Sequence, residues 1–84
     1  SMTFSGRVAV VTGAGAGIGR ATALAFAAEG LNVVVADLDA ASGEGTVELI
    51  KAAGGSAAFV RCNVALEAEV RHLMEQTLST YGRL

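Results

Sequence analysis

The residues of this sequence that could do chemistry form a glycine-rich loop. Thr12 to Gly19 reads TGAGAGIG, with glycine at positions 13, 15, 17 and 19. Glycine lets the backbone approach a ligand closely because it has no Cβ. The free N–H groups and the positive dipole at the start of a helix attract anions. The loop therefore predicts a cradle for a phosphate group, although a glycine cluster by itself also fits a tight turn.

Asp37 is the second chemical signal, and it lies 18 residues after Gly19. It directly follows the apolar run NVVVA at 32–36, so it should stand at the tip of a strand. A carboxylate there can accept hydrogen bonds from the hydroxyls of an adenosine ribose. Helix capping is the alternative role for this acid, but Asp39 is better placed as a cap. Loop and acid together predict a dinucleotide site.

Alternating strands and helices must position these residues. Short apolar or β-branched runs bounded by glycine predict the strands, and apolar residues at helical spacing followed by glycine predict the helices. The first helix is indicated by Ile18, Ala25 and Phe26, and the third by the stripe Val70, Leu73, Met74, Thr77, Leu78 and Tyr81. The predicted strands are 8–12, 32–36 and 57–61, and the predicted helices are 18–29, 39–53 and 67–81.

This order, βαβαβα with short connections, predicts a parallel sheet with right-handed crossovers. The expected fold class is α/β, the N-terminal half of a Rossmann-type doubly wound sheet with strand order 3-2-1. Residues 1–84 are expected to be the N-terminal part of a single NAD(P)-binding domain, whose remaining strands lie outside this sequence. A hydrophobic content of 52% and a mean hydropathy of +0.53 also suit part of a larger α/β protein.

Composition argues against several partners. The net charge is −2 and the basic residues are scattered, so no basic stripe for nucleic acid is expected. No apolar run approaches the roughly 20 residues of a spanning helix, so no membrane partner is expected. A single cysteine, Cys62, and the absence of a signal-peptide pattern favour the cytoplasm. His72 has no second ligand at metal spacing, so no metal site is predicted.

The pattern T-G-x-x-x-G-I-G resembles the cofactor signature of the classical short-chain dehydrogenase/reductase (SDR) family. The flanking segments VAVVTG, GRATALAFAAEG, VVVADLD, CNV and YGRL extend the resemblance over residues 6 to 84. It implies that the loop contacts the pyrophosphate and the nicotinamide ribose, that Asp37 binds the adenosine ribose, and that the stretch 62–64 contacts the adenine ring. The implied cofactor-binding residues are Gly13, Ala16, Gly17, Ile18, Gly19, Asp37, Leu38, Cys62, Asn63 and Val64.

The resemblance also bears on cofactor choice. Asp37 would repel the extra phosphate of NADP, and Ala16 and Leu38 stand where NADP-preferring relatives tend to carry Arg or Lys, so NAD is favoured over NADP. Asn63 departs from the family, which usually has an aspartate there to accept a hydrogen bond from the adenine amino group. The asparagine carbonyl can accept the same bond, and a turn or helix-cap role is the alternative.

The family transfers a hydride between NAD(H) and an alcohol or ketone, using a tyrosine, a lysine four residues later and a serine. The one tyrosine here, Tyr81, is followed only by Gly82, Arg83 and Leu84, so we predict no catalytic residue in this chain. The resemblance implies an NAD-dependent oxidoreductase as the parent protein, with a small alcohol or ketone substrate and a homo-oligomeric state, dimer or tetramer.

Three other interpretations stay open. A fragment of a SAM-dependent methyltransferase would share the loop and the acid, but its loop is usually tighter than the spacing from Gly13 to Gly17. An extended relative acting on nucleotide-sugars would carry T-G-x-x-G-x-x-G, which fails at Ala16. A non-catalytic nucleotide-binding module would keep the loop and Asp37 without the catalytic tyrosine and lysine.

Overall fold

Three strands and three helices alternate in the computed structural model of the chain, which describes residues 7–82. Their order and parallel pairing confirm the predicted α/β fold and the 3-2-1 strand order, with β2 in the middle. The bounds differ from the predicted ones by no more than one residue. The elements are β1 Val8–Thr12, α1 Gly17–Ala28, β2 Asn32–Asp37, α2 Ala40–Ala52, β3 Ser56–Arg61 and α3 Glu67–Tyr81.

The three strands are paired in register. Val8 is opposite Asn32 at one end of the first ladder, and Asp37 is opposite Arg61 at the far end of the second. The strands therefore end at one edge of the sheet, which we call the carboxyl edge and define by Thr12, Asp37 and Arg61. In doubly wound folds ligands bind outside this edge.

The core is divided between the two faces of the sheet. Alternate residues of a strand point to opposite faces, so Val33 and Val35 pack beneath α1 and α2 while Val34 and Ala36 pack beneath α3. These four β2 side chains are at most 1% exposed. The apolar run at 32–36 therefore forms a strand that is covered on both faces, which is typical of parallel sheets.

The buried face of α1 differs from the one that its apolar spacing suggests. Ile18 is 87% exposed and Phe26 is 39% exposed, whereas Ala23 is completely buried. Leu24 and Ala27 are the other α1 side chains packed against the core. The side of α1 that faces the sheet is thus formed by Ala23, Leu24 and Ala27, and Ile18 and Phe26 lie toward solvent.

Asp39 caps α2 as the sequence predicted. Its carboxylate accepts hydrogen bonds from the Ser42 backbone N–H at 3.2 Å and the Ser42 hydroxyl at 3.1 Å. These bonds, the backbone one first, lower the pKa of the Asp39 carboxyl below its ordinary value. A lowered pKa in the folded state means that the charged form contributes stability above the unfolded-state pKa of about 3.9.

Replacing Asp39 by alanine should therefore lower the melting temperature at neutral pH. The difference from the unsubstituted protein should shrink as the pH falls below about 4 and through the lowered pKa of the folded state. Asp39→Asn, which keeps an acceptor for the Ser42 N–H, should lose less and show no such pH dependence. Thermal unfolding between pH 2.5 and pH 7 measures both variants, and a difference that stays constant with pH would contradict the assignment.

Candidate functional site

The glycine loop joins β1 to α1 at the carboxyl edge of the sheet. Gly13 and Gly17 have φ angles of +63° and +56°, in the left-handed region that strains any residue with a side chain. These two positions turn the chain sharply enough for α1 to begin five residues after β1 ends. The start of α1 is thereby placed beside the end of the strand.

Gly15 and Gly19 are required for a different reason, because their surroundings leave no room for a Cβ. A Cβ on Gly15 would lie 2.7 Å from the Cβ of Ser42 and 2.8 Å from Oδ2 of Asp37. A Cβ on Gly19 would overlap the carbonyl group of Gly13. The loop is thus packed tightly against its own helix and against the tip of β2.

No capping side chain pairs with the backbone N–H groups in the first turn of α1. Its N-cap is Ala16, which cannot bond to the helix N–H groups, and the turn contains no acidic residue. The N–H groups of a first helical turn have no partner within the helix. The other two described helices differ, because α2 is capped by Asp39 and α3 has Glu67 and Glu69 in its first turn. The start of α1 therefore has the donor groups and the positive dipole that suit an anionic ligand.

Asp37 is half-buried and connects the loop to the end of β2. Its Oδ2 accepts the backbone N–H of Gly15 at 2.7 Å, and its Oδ1 accepts the N–H of Asp39 at 2.9 Å. A carboxylate offers about four acceptor positions, so two bonds leave room for hydroxyl donors. The acid is positioned to order the loop and to bind a ligand at the same time.

Apolar side chains are exposed in the segments that follow the strands at the carboxyl edge. Ile18, Leu38 and Val64 are 87%, 54% and 60% exposed, and each belongs to the segment that follows a different strand. Exposed apolar groups that gather near convergent polar groups are typical of small-molecule sites. This edge of the sheet therefore offers both hydrogen-bond donors and an apolar surface.

Asn63 follows β3 and forms a turn, the role that the sequence offered as the alternative to adenine binding. Its Oδ1 accepts the backbone N–H of Ala65 at 3.0 Å, and its own N–H donates to Oε1 of Glu69 at 2.8 Å. A carbonyl oxygen has two lone pairs, so Oδ1 can still accept a second donor. Sequence reasoning missed Glu69, although a glutamate at the third position of a helix is a common capping pattern.

Cys62 is buried in the core beneath α3, only 3% exposed, and its Sγ lies 3.6 Å from the carbonyl oxygen of Glu69. Burial, followed by the charge of Glu69, raises the pKa of the Cys62 thiol above its ordinary value. The folded state thus favours the protonated thiol. Its stabilisation is complete below the unfolded-state pKa of about 8.5 and is lost as the pH rises through the raised value.

A buried, protonated thiol should react slowly with alkylating reagents. We expect iodoacetamide at pH 8 to modify Cys62 at least about a hundredfold more slowly in the native protein than in denaturant, because the thiolate is the nucleophile. The extent of modification is measured by mass spectrometry over time. Rapid native-state labelling would show that the thiol is accessible and would contradict its burial.

A set of hydrogen bonds beside the glycine loop joins α1 to α2. Arg20 donates from Nε to Oγ1 of Thr46 at 2.8 Å and from an Nη atom to the carbonyl oxygen of Ser42 at 3.1 Å. Thr46 donates in turn to the carbonyl oxygen of Ala14 at 2.7 Å. These bonds link residues 22 to 32 positions apart, which no local pattern reveals.

No group of three or more His, Cys, Asp or Glu side chains within residues 7–82 is arranged to hold a metal ion. His72 is exposed on α3. None of the helices in the same range has the length and apolar character needed to cross a bilayer.

The sequence profile of the short chain dehydrogenase family matches residues 7–84, and the chain belongs to this family. It is 46% identical over 83 residues to an uncharacterized oxidoreductase of Thermotoga maritima, covering 99% of this chain and 32% of that protein. It is 48% identical over 81 residues to the 2,5-dichloro-2,5-cyclohexadiene-1,4-diol dehydrogenase of Sphingobium indicum, covering 96% and 31%. The chain therefore spans about a third of the length of the curated relatives it matches.

Solved structures agree with this assignment. A hydroxysteroid dehydrogenase from Escherichia coli superimposes with a TM-score of 0.93 at 38% identity, covering 98% of this chain and 35% of that one. A short chain dehydrogenase/reductase from Burkholderia phymatum in complex with NAD gives a TM-score of 0.91 at 39% identity, covering 100% and 30%. At such identities both the fold and the family are shared.

Proposed function

We propose that these residues bind NAD(H) as part of a short-chain dehydrogenase that transfers a hydride between NAD(H) and an alcohol or ketone. The observation that carries the proposal is the start of α1, uncapped and held in a loop with no space for side chains at Gly15 and Gly19. The family's name and the NAD complex of the Burkholderia phymatum relative support it.

The roles proposed for the loop follow from its geometry. The first N–H groups of α1, at Gly17, Ile18 and Gly19, would donate to the pyrophosphate. Gly13 and the small Ala16 would leave the anion free access to them. The bound cofactor would supply the hydride donor or acceptor, while these residues bind and orient it.

The adenosine half would be held by the segments after β2 and β3. Asp37 would accept hydrogen bonds from the ribose hydroxyls, and Leu38 and Val64 would pack against the adenine ring. Asn63, next to the buried Cys62, would accept a hydrogen bond from the adenine amino group. A carboxylate at Asp37 would repel the additional phosphate of NADP, so we propose NAD as the preferred cofactor.

We further propose that the chain is part of one larger dinucleotide-binding domain. Within residues 7–82, β1 pairs with β2 alone, although the first strand is central in a doubly wound sheet. The catalytic tyrosine, lysine and serine would come from the rest of that domain, and we assign no catalytic residue here. The small alcohol or ketone substrate, the homo-oligomeric state and the cytoplasmic location stay predictions.

Ligand titration tests this function. In the intact protein that carries this chain, NADH should bind with a dissociation constant in the micromolar range and NADPH at least about tenfold more weakly, followed by nicotinamide fluorescence. S-adenosylmethionine should not compete. Competition by S-adenosylmethionine would favour the methyltransferase alternative, and NADH binding without turnover of any alcohol or ketone would favour a non-catalytic module.

A further inference from the structure

Thr46 occupies an unusual position for a polar residue of α2. Its side chain is completely buried, and its hydroxyl donates to the carbonyl oxygen of Ala14 in the glycine loop at 2.7 Å. The same hydroxyl oxygen accepts the Nε–H of Arg20 at 2.8 Å. One hydroxyl therefore joins the loop, α1 and α2 at a single point. We call Ala14, Arg20, Ser42 and Thr46 the Thr46 cluster.

Ala14 is the part of the loop that this cluster holds. It is fully buried between Gly13 and Gly15, and its N–H donates to the carbonyl oxygen of Ala36 in β2 at 3.2 Å. Its carbonyl oxygen accepts from Thr46. Both backbone polar groups of Ala14 are thus satisfied, one by the sheet and the other by α2, and the loop is held from two sides.

Arg20 takes part in the same set of hydrogen bonds. Its guanidinium donates to Thr46 and to the Ser42 carbonyl oxygen, so it is directed toward α2. Hydrogen bonds to charged groups are stronger than neutral ones, and a buried partner left unsatisfied is costly. Removing the Thr46 side chain would therefore release Ala14 from α2, whereas removing the Arg20 side chain would take away a donor that holds the Thr46 hydroxyl in place. Either change leaves every residue proposed to touch the cofactor unchanged.

We propose that Thr46, together with Arg20, is a positioning residue that holds the glycine loop in its cofactor-binding conformation. The inference rests on the proposed binding of NAD(H) by this loop. Thr46 acts only through Ala14, and its hydroxyl fixes where the loop N–H groups and the start of α1 point. Loss of the Thr46 hydroxyl should therefore weaken cofactor binding. A residue that only stabilised the fold would lower the melting temperature and leave the cofactor affinity unchanged.

The test compares Thr46→Val with Thr77→Val in the intact protein that carries this chain. Thr77 is an internal match, since it is also completely buried and its hydroxyl donates to Leu73 of its own helix at 2.8 Å. It lies on α3, which packs on the other face of the sheet. Both variants keep the side-chain shape and lose one buried hydroxyl.

We expect Thr46→Val to raise the NADH dissociation constant about tenfold when binding is measured at a temperature where each variant is shown to be folded. Thr46→Ser, which keeps the hydroxyl, should bind NADH within about twofold of the unsubstituted protein. Thr77→Val should lower the melting temperature without changing the dissociation constant. Equal NADH affinity in Thr46→Val, or an equal loss in Thr77→Val, would overturn the proposal.

Arg20→Gln supplies a second measurement should Thr46→Val fail to fold. It should raise the NADH dissociation constant as well, but by less than about tenfold, because it removes the Arg20 bond to the Thr46 hydroxyl and leaves the Thr46 bond to Ala14 in place. NADH affinity that is unchanged by Arg20→Gln would contradict the inference. Absence of NADH binding in the unsubstituted protein would instead contradict the proposed function.

Discussion

Gly19→Ala is expected to abolish NADH binding, with a loss of at least about a hundredfold in affinity. The new Cβ would overlap the Gly13 carbonyl group and lie 3.1 Å from the Cα of Ala14. All of these neighbours are backbone atoms, so no change of side-chain rotamer relieves the overlap. The loop must move away from α1, which also costs about 1 to 3 kcal/mol of stability.

Gly54→Ala is the matched control. Gly54 has a φ of +88° and no atom within 4 Å of an added Cβ, so alanine there costs about 1 to 2 kcal/mol through backbone strain alone. It follows the end of α2, at the opposite edge of the sheet from the loop. Gly54→Ala should therefore lower the melting temperature and bind NADH normally. Near-normal NADH binding by Gly19→Ala would contradict the close packing of the loop.

Asp37→Asn is expected to weaken NADH binding by about ten- to a hundredfold, because charge-assisted hydrogen bonds to the ribose are lost. It should also reduce the preference for NADH over NADPH, since the repulsion of the extra phosphate is removed. NADPH affinity should still stay below the NADH affinity of the unsubstituted protein. The reason is that Asp37 also holds the Gly15 N–H, and this bond orders the loop for either cofactor.

The control for this prediction is Asp39→Ala, which removes the neighbouring carboxylate. Asp39 bonds to Ser42 and caps α2, so its loss should lower the melting temperature and leave the ratio of NADH to NADPH affinity unchanged. Fluorescence titrations of the unsubstituted protein and both variants with both cofactors measure the six dissociation constants. A similar shift of the ratio in both variants would show that general negative charge, rather than the position of Asp37, sets the preference.

The strands and helices could be predicted because each has a local pattern. The alternation of apolar strands with glycine-terminated helices determines the parallel order, and the Asp39 cap is recognisable from spacing alone. The α3 stripe is recognisable as well, except that Leu78 is 49% exposed. The buried face of α1 could not be predicted in the same way. Ala23, Leu24 and Ala27 face the sheet while Ile18 and Phe26 are exposed, and the apolar spacing alone does not distinguish these two faces.

The main residues of the candidate site could be predicted from the sequence, but the hydrogen bonds that join them could be predicted only in part. The glycine loop and Asp37 follow from residue types and spacing, but the bond between Gly15 and Asp37 depends on how far apart the two segments lie in space. The Thr46 hydroxyl bond to Ala14 spans 32 residues, and threonine within a helix is common enough to attract no notice. Such connections become visible only when the elements are assembled.

Titration of the intact protein with NADH, beside its Gly19→Ala and Gly54→Ala variants, tests the central claim most directly. We predict saturable binding in the unsubstituted protein and in Gly54→Ala, and none in Gly19→Ala over the same concentration range. Equal NADH binding by all three proteins, or none by the unsubstituted protein, would contradict the claim that this loop holds the cofactor.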